Sequence, residues 1–478
     1  MDWDIVIGIE THVQLQTKSK IFSNASTEFG KPANENACLI SLAYPGTLPV
    51  LNKAAVQKAI KFGIAVNAEI AHKSVFARKN YFYPDLPKGY QISQFELPIV
   101  NHGQLEIETK AQKKSIRILR AHLEEDAGKS VHGIEGKSTG IDLNRAGTPL
   151  LEIVTEPDMN SAEEAIAYAK KLHSLVQWIG ICDGNMQEGS FRCDVNVSVK
   201  PKGSDKLGTR REIKNLNSFK FMEQAINFEV NWQIEQLEDG QKIQQSTVLF
   251  NPETGETRAM RSKEEANDYR YFPDPDLLPL EVTDGDIEKI KNEIGKLPQV
   301  VYKELISDYG LSDQDAGLLV SSKATYDYFA TLIEYKIDPK LTANWIVGNL
   351  YAKLNENELT IHDNPIKKES FAKLIERIAD KTISNNAAKK VFDILWQQNK
   401  NNVDEIIEDL GLKQVNDTSA IEPFIDEVIQ QNPDMIAQYK DGKDKAFNAL
   451  VGQVMKLSKG KANPGQVSEI LRNKINAL

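Results

Sequence analysis

Phe191-Arg192-Cys193-Asp194-Val195-Asn196-Val197-Ser198-Val199 alternates apolar and polar residues without a break. Successive side chains of a strand point to opposite faces, so Phe191, Cys193, Val195, Val197 and Val199 share one side. Arg192, Asp194, Asn196 and Ser198 share the other. A guanidinium fork, a carboxylate, an amide and a hydroxyl are the groups a phosphate and a divalent cation need, although a plain half-wet sheet edge shows the same alternation. The first strand repeats the pattern. In Ile5–Leu15 the odd positions are apolar, while Glu10, His12 and Gln14 line up opposite them. Two such strands point to a polar site built on a sheet.

Outward from these strands, period-two alternation recurs near Ile116–Leu123 and Ile141–Ile153, punctuated by Gly and Pro. One helix interrupts it. Asn160 or Ser161 can cap it, Glu163 and Glu164 suit its first turn, and it runs toward Trp178 before Gly180. Strands spaced this irregularly, without regular crossover helices, predict an α+β sheet layer rather than a doubly wound one. Phe272–Pro279 carries three prolines, which remove donors and fix the backbone, so it reads as a rigid exit from the sheet. Beyond it the pattern turns helical. Ser312 with Asp315 resembles a capping box with Leu311 as its staple, and helical spacing continues through Phe371–Ile378 and Ala387–Gln397. Asn463-Pro464 can start a closing helix.

A chain of 478 residues is too long for one ordinary core. Its 41% hydrophobic and 26% charged content are those of a soluble globular protein. A net charge of −10 argues against indiscriminate coating of nucleic acid. Charge is uneven, however: Lys440–Leu478 holds eight basic and three acidic side chains, a local +5. That stretch is either a solvated helical face or a grip for a polyanion. Cys38, Cys182 and Cys193 are too scattered for a disulfide framework, which fits a reducing cytosol. Met1-Asp2-Trp3-Asp4 enters a strand with no basic or apolar leader, so no signal peptide is expected. No run of about 18 apolar residues predicts a membrane span.

Three further clusters carry chemistry. Arg78–Gln91 mixes cations with tyrosines around a Pro/Gly turn, where bases can stack and phosphates can be met. A Tyr-rich turn packed on a core explains it equally well. Glu124-Glu125-Asp126 sets three carboxylates in a row at a strand end, either facing solvent or neutralised by a cation. Arg210–Ser218 again offers cations and amides together. Neither a Gly-x-x-x-x-Gly-Lys-Ser/Thr loop nor a Gly-x-Ser-x-Gly elbow is present, and the seven histidines lack zinc-protease spacing. If ATP is handled, a sheet with a carboxylate-held metal must do it.

Several motifs match something specific. Ile7–Leu15, His122–Lys129, Asp142–Leu150, Glu212–Phe219, and Met260–Ala266 followed by Asp268–Pro273 closely resemble the GatB family of the aspartyl/glutamyl-tRNA amidotransferases, in order along essentially the whole chain. The resemblance implies an α+β fold with a glutamine-synthetase-like mixed or antiparallel catalytic sheet over 1–292. It implies a helical domain over 293–406 and a YqeY-like helical tail over 407–478 that holds tRNA. It implies a cytoplasmic ligase that uses ATP and Mg²⁺ to activate the side-chain carboxylate of Glu-tRNA(Gln) or Asp-tRNA(Asn). Ammonia then gives the amide, supplied by an amidase (A) subunit in a complex completed by a small C subunit. Activation is chemically required, because ammonia cannot displace oxide from a carboxylate, and phosphoryl transfer wants Mg²⁺ on the phosphate oxygens.

The positions that match the family's metal site are Glu10, His12, Glu125 and Asp194, with Arg192 as a further catalytic candidate. Imidazole is an unusual ligand for Mg²⁺; His12 could bind directly, tolerate Mn²⁺, or hold a water of the outer shell. Lys79, Tyr81, Lys88, Lys214 and Asn215 are candidates for the nucleotide or the acyl phosphate. Many relatives carry a four-cysteine zinc site where this chain has Ser23, Ala25, Cys38 and Ser41. One thiolate cannot hold structural zinc, so no zinc is expected. Two rival readings are a catalytically idle tRNA scaffold and a free-standing ligase acting on a small amino acid. Aligned carboxylates argue against the first and the basic tail against the second.

Overall fold

The computed structural model describes residues 2–134, 138–262, 266–398, 400–414, 418–458 and 462–478. It separates into two compact units, Met1–Pro298 and Gln299–Leu478. The first is a mixed α/β sheet unit and the second is helical.

The first unit is organised on a nine-stranded sheet. Its spatial order is Glu256–Ser262, Ser246–Asn251, Arg211–Lys214, Phe191–Pro201, Trp3–Gln14, Pro149–Thr155, Lys113–Glu125, Val100–Glu108 and Glu69–Ile70. All neighbours run antiparallel except the parallel pair Arg211–Lys214 and Ser246–Asn251. The Trp3–Gln14 strand lies at the centre and pairs with Phe191–Pro201 over its length, so that Ile7, Ile9, Val13, Cys193, Val195 and Val197 are buried. Helices Lys53–Ala65, Ala162–Trp178 and Phe219–Glu238 pack against the strands. Ser161 caps the second of these by accepting from Glu164 N, and Gly180 at φ +66 ends that stretch.

Two departures from the strand pattern shape the site. The expected strand Ile141–Ile153 is interrupted. Ser138–Asp142 ends in a tight turn where Thr148 N donates to Arg145 O, and Gly147 takes φ +82 before Pro149–Thr155 begins. The stretch Ile116–Leu123 carries a bulge: Thr155 pairs with Ile118 while Val154 pairs with Arg120, leaving Leu119 unmatched. An extra residue flips the alternation beyond it. Ile116 and Ile118 therefore share the buried face with Ala121 and Leu123, and Arg120, His122 and Glu124 move to the other.

A second, three-stranded sheet (Phe272–Pro273, Ala77–Asn80, Tyr90–Ser93) meets the end of the Lys113–Glu125 strand. There Gln91 Nε2 donates to Glu125 O at 2.7 Å. Arg78 braces the proline-rich exit through Asp274 (2.8 Å) and Asp276 (3.0 Å).

In the helical unit, Ser312 caps Asp313–Val320 as its spacing foretells, and Leu311 is buried beside it. Helices Thr418–Gln431, Asp444–Leu457 and Pro464–Ala477 enclose a core of their own, including Ile425, Val428, Leu450, Val454, Val467 and Leu471. Asn463 caps the last of them through Gly465 N and Gln466 N. Lys440, Lys443, Lys445, Lys456 and Arg472 are exposed. Lys474 is tied back to Asp426 (2.6 Å) and Glu422 (3.6 Å), and Lys459 and Lys461 lie outside the described residues. No helix among the described residues is long and apolar enough to cross a membrane.

Candidate functional site

Register builds the site. His12 pairs with Glu152 on one neighbouring strand and with Arg192 on the other, and Glu152 pairs in turn with His122. Side chains directly opposite share a face, so four adjacent strands present Arg192, His12, Glu152 and His122 in a row. One step along the same face, Glu10 pairs with Asp194.

Within this face the groups sort into clusters. His12 Nε2 lies 3.6 Å from Glu124 Oε1 and 3.5 Å from Glu152 Oε2. One ligand atom from each of these three residues lies within 4.8 Å of the others. His122 Nε2 reaches the same Glu152 Oε2 at 3.3 Å. Ser93 Oγ donates to Glu124 at 3.4 Å. Among the described residues no lysine or arginine is ion-paired to either carboxylate. The electrostatics record the consequence. Burial works against a charged His12, yet the hydrogen bond and charge of Glu152, with Glu124 behind it, raise its pKa to about 9. Burial likewise opposes charge on His122 and is outweighed by the same two carboxylates. Glu152 is driven well below the usual carboxylate range by the two histidines, against its burial. A buried and a half-buried carboxylate so placed favour positive charge between them, which is why the pKa values of both imidazoles are raised.

The second cluster is already closed. Lys214 Nζ donates to Asp194 Oδ2 at 2.5 Å and lies 3.3 Å from Glu212, while Asn196 donates to Glu10 at 2.9 Å. Burial opposes the charge on Lys214, but Asp194 and Glu212 carry its pKa above the ordinary lysine value. Asp126, buried, accepts from Arg192 (3.0 Å) and Gln14 (3.0 Å), with Arg145 at 3.5 Å. Arg192 Nε is buried with no partner among the described residues.

The sequence candidates are thus distributed rather than gathered. His12 joins Glu124 and Glu152, while Glu10 and Asp194 sit with Lys214. Glu125 turns away: its Oε1 accepts from Ile92 N at 2.9 Å and closes a buried ion pair with Lys88. Tyr81 donates to Gln91 at 3.1 Å. Asn215, at φ +67, gives its amide to Phe250 O, and Asn217 donates to its oxygen. Lys79 stands apart from these spent groups. Its ammonium lies 4.7 Å from the Tyr269 ring centre and 5.9 Å from that of Tyr81. Burial lowers its pKa, but Tyr271, Glu124 and Glu152 more than offset that and hold the lysine charged.

Of the acidic run Glu124-Glu125-Asp126, the sequence reading assigned Glu125 rather than Glu124 to the metal site, and it assigned no site role to His122 or Glu152. A carboxylate inside the apolar run Leu150–Val154 was the available signal for Glu152. The bulge at Leu119 hid the phase of the other two.

The loop expected to lack zinc is held by hydrogen bonds. Cys38 Sγ lies 3.3 Å from Ser23 Oγ and 3.2 Å from Ser41 Oγ. Buried Lys20 donates to Ser41 (3.4 Å) and Leu143 O (3.2 Å). Ala25 O accepts from Lys20 N at 3.0 Å.

Comparison with known proteins agrees with this architecture. A family described as the GatB/GatE catalytic domain matches residues 5–288, and one described as the GatB domain matches 327–475. Curated relatives named as the B subunit of aspartyl/glutamyl-tRNA(Asn/Gln) amidotransferase include that of Methylobacillus flagellatus, 64% identical over 476 residues, covering 99% of this chain and 100% of the relative. Those of Albidiferax ferrireducens (58%, all of both chains) and Dechloromonas aromatica (60%, 99% of both) are similar over the same span.

Proposed function

The chain belongs to the GatB family, and on that premise we propose that its sheet uses ATP to activate the side-chain carboxylate of Glu-tRNA(Gln), Asp-tRNA(Asn) or both. The activated carboxyl is then amidated with ammonia from an amidase partner, in a cytoplasmic complex that also holds a small third component. A glutamine-synthetase-like origin of the sheet belongs to the same proposal. One observation carries it: Glu124 is buried and Glu152 half-buried beside His12, and among the described residues no lysine or arginine is ion-paired to either and the Nε–H of Arg192, on the same face, has no partner.

Two carboxylates and an imidazole within reach of one another fit a divalent cation, with Mg²⁺ served by the oxygens and Mn²⁺ also tolerated by the nitrogen. His12, Glu124 and Glu152 would hold it, and it would neutralise phosphate oxygens during transfer. Arg192, anchored by Asp126 through one terminal nitrogen, offers its Nε–H to a phosphoryl oxygen in a fixed orientation. Lys79, kept charged by the fields of Tyr271, Glu124 and Glu152, would meet a phosphate or a substrate carboxylate as either arrives. Lys214 balances Asp194 and Glu212 and keeps that end of the face rigid. Transfer from ATP to the substrate carboxylate gives an acyl phosphate and ADP. Attack by ammonia then gives the amide, releasing phosphate and a proton. The exposed Lys440, Lys443, Lys445 and Lys456 would meet tRNA phosphates.

The test is ADP release by the assembled complex that depends on mischarged tRNA. Glu124→Gln should abolish it while glutamine hydrolysis by the partner continues; unchanged ADP release would remove the cluster from catalysis. For the tail, exchanging the four lysines for glutamine should flatten the salt dependence of tRNA binding by roughly 0.7–0.9 per lost phosphate contact. Equal slopes would exclude those lysines from the interface.

A further inference from the structure

We infer that Tyr271 is a substrate-binding residue: its hydroxyl, beside the Lys79 ammonium, donates to the side-chain carboxylate of the aminoacyl group that is to be activated. This inference rests on the proposed amidotransferase reading of the sheet face and deepens it.

The small sheet supplies the geometry. Lys79 pairs with Gln91 and Ala77 with Ser93, so Lys79, Gln91 and Ser93 share one face. That face covers the end of the Lys113–Glu125 strand: Ser93 Oγ donates to Glu124 at 3.4 Å and Gln91 Nε2 to Glu125 O at 2.7 Å. On the other side of Ala77–Asn80, Phe272 pairs with Arg78 and Pro273 with Ala77. Carried back one residue, that register sets Tyr271 opposite Lys79, on the covering face. Asn80 fixes the approach. Its amide donates to Tyr269 O (3.0 Å) and Arg270 O (2.8 Å), where Arg270 takes φ +46.

The ring is held but its hydroxyl is not. Tyr271 stacks on Phe95, with centroids 4.2 Å apart and planes 7° from parallel. Phe95 in turn meets Arg120, whose guanidinium lies 5.9 Å from its ring centre and donates to Phe95 O at 3.3 Å. Tyr269 packs edge-on against Tyr271, with centroids 6.1 Å apart. Tyr81, on the other side of Lys79, gives its hydroxyl to Gln91, whereas that of Tyr271 has no partner among the described residues. After burial, the influences on the Tyr271 hydroxyl are the charges of Lys79, Glu124 and Glu152, so it borders the cluster. A fixed ring with an uncommitted donor suits a ligand.

The kind of ligand follows from charge. Arg192 stands at the far end of the row, three strands from His122, and its fork suits phosphoryl oxygens. One ammonium and one neutral O–H match the single charge of a carboxylate. One carboxylate oxygen must attack phosphorus with its lone pair free, so the other is the one to hold. A neutral donor holds it while withdrawing less charge from the attacking oxygen than a second cation would.

The experiment is steady-state ADP release by the assembled complex, with Glu-tRNA(Gln) and Asp-tRNA(Asn) as substrates and deacylated tRNA as competitor. Tyr271→Phe keeps the ring and its stack and removes only the O–H. For each mischarged tRNA that the parent turns over, kcat/KM should fall about 10- to 100-fold, as for a lost hydrogen bond to a charged group. The KM for ATP, the inhibition constant of deacylated tRNA and the melting temperature should stay at the parent's values. Parent-like kcat/KM for mischarged tRNA overturns the inference, and so does a raised KM for ATP, which would give the hydroxyl to the nucleotide. Weaker binding of deacylated tRNA or a lower melting temperature would make the residue structural and overturn it too. If the parent complex releases no ADP with either mischarged tRNA, the amidotransferase reading itself falls. An active parent matched by its variant removes Tyr271 alone.

Discussion

Two regions of one sheet face handle buried carboxylates in opposite ways. Around Phe191–Pro201 and Arg211–Lys214, every acid contacts a group that compensates it: Asp194 and Glu212 meet Lys214, Asp126 meets Arg192, and Glu10 accepts from Asn196. Around His12 and His122, Glu124 and Glu152 are compensated by imidazoles. The difference is chemical. A lysine or arginine holds its charge throughout the working pH range and completes an ion pair. A histidine can release its proton and leave negative charge for another cation to neutralise. The first region is therefore a finished structure and the second an exchangeable one, although both rise from the same alternating strands.

The largest effect should come from the exchangeable region. Glu152→Gln keeps the shape but removes one of two like charges, so the rate of mischarged-tRNA amidation should fall by about 10³-fold or more, the several kcal/mol a metal contributes to such a step. Its melting temperature should fall only modestly at neutral pH, where the two histidines favour the ionised carboxylate that the variant lacks. A large loss of stability with activity intact would erase the distinction. The finished pairs should behave in reverse. Glu125→Ala strips Lys88 of its buried partner, and side-chain exposures of 5% and 8% leave little water to compensate. About 3–5 kcal/mol of stability should be lost in urea titration; a loss under about 1 kcal/mol would show that water reaches Lys88 easily.

Thiols extend the comparison at smaller scale. Burial pushes Cys182 and Cys193 up to about 12. Burial also opposes ionisation of Cys38, but hydrogen bonding with Ser23 and Ser41 and the charge of Lys20 lower its pKa overall. Iodoacetamide at pH 8 should label Cys38 in the native chain and the other two only in denaturant. Native labelling of Cys193 first would show that the sheet opens more readily than its packing indicates.

Much of this was legible in the sequence where alternation ran unbroken. Phe191–Val199 and Ile5–Val13 gave the two central strands and the face that carries Glu10, His12, Arg192 and Asp194. Caps at Ser161, Ser312 and Asn463 were readable because local hydrogen bonds define them. The grouping of the acids was not readable. It depends on which strands become neighbours and on one unmatched residue, Leu119, which turns Glu124 rather than Glu125 toward His12. Strict alternation from Ile116 and Ile118 would have placed Glu125 on the polar face. Glu152 was missed for a related reason: its neighbours are apolar, and its charge has meaning only beside two histidines from other strands.

The direct test of the account sets the two regions against each other in one binding measurement. Equilibrium dialysis of Mn²⁺ against the full-length chain should give one tightly held ion for the parent and for Asp194→Asn, and none for Glu152→Gln. Loss of the ion in Asp194→Asn with retention in Glu152→Gln would place the cation beside Lys214 and contradict the account.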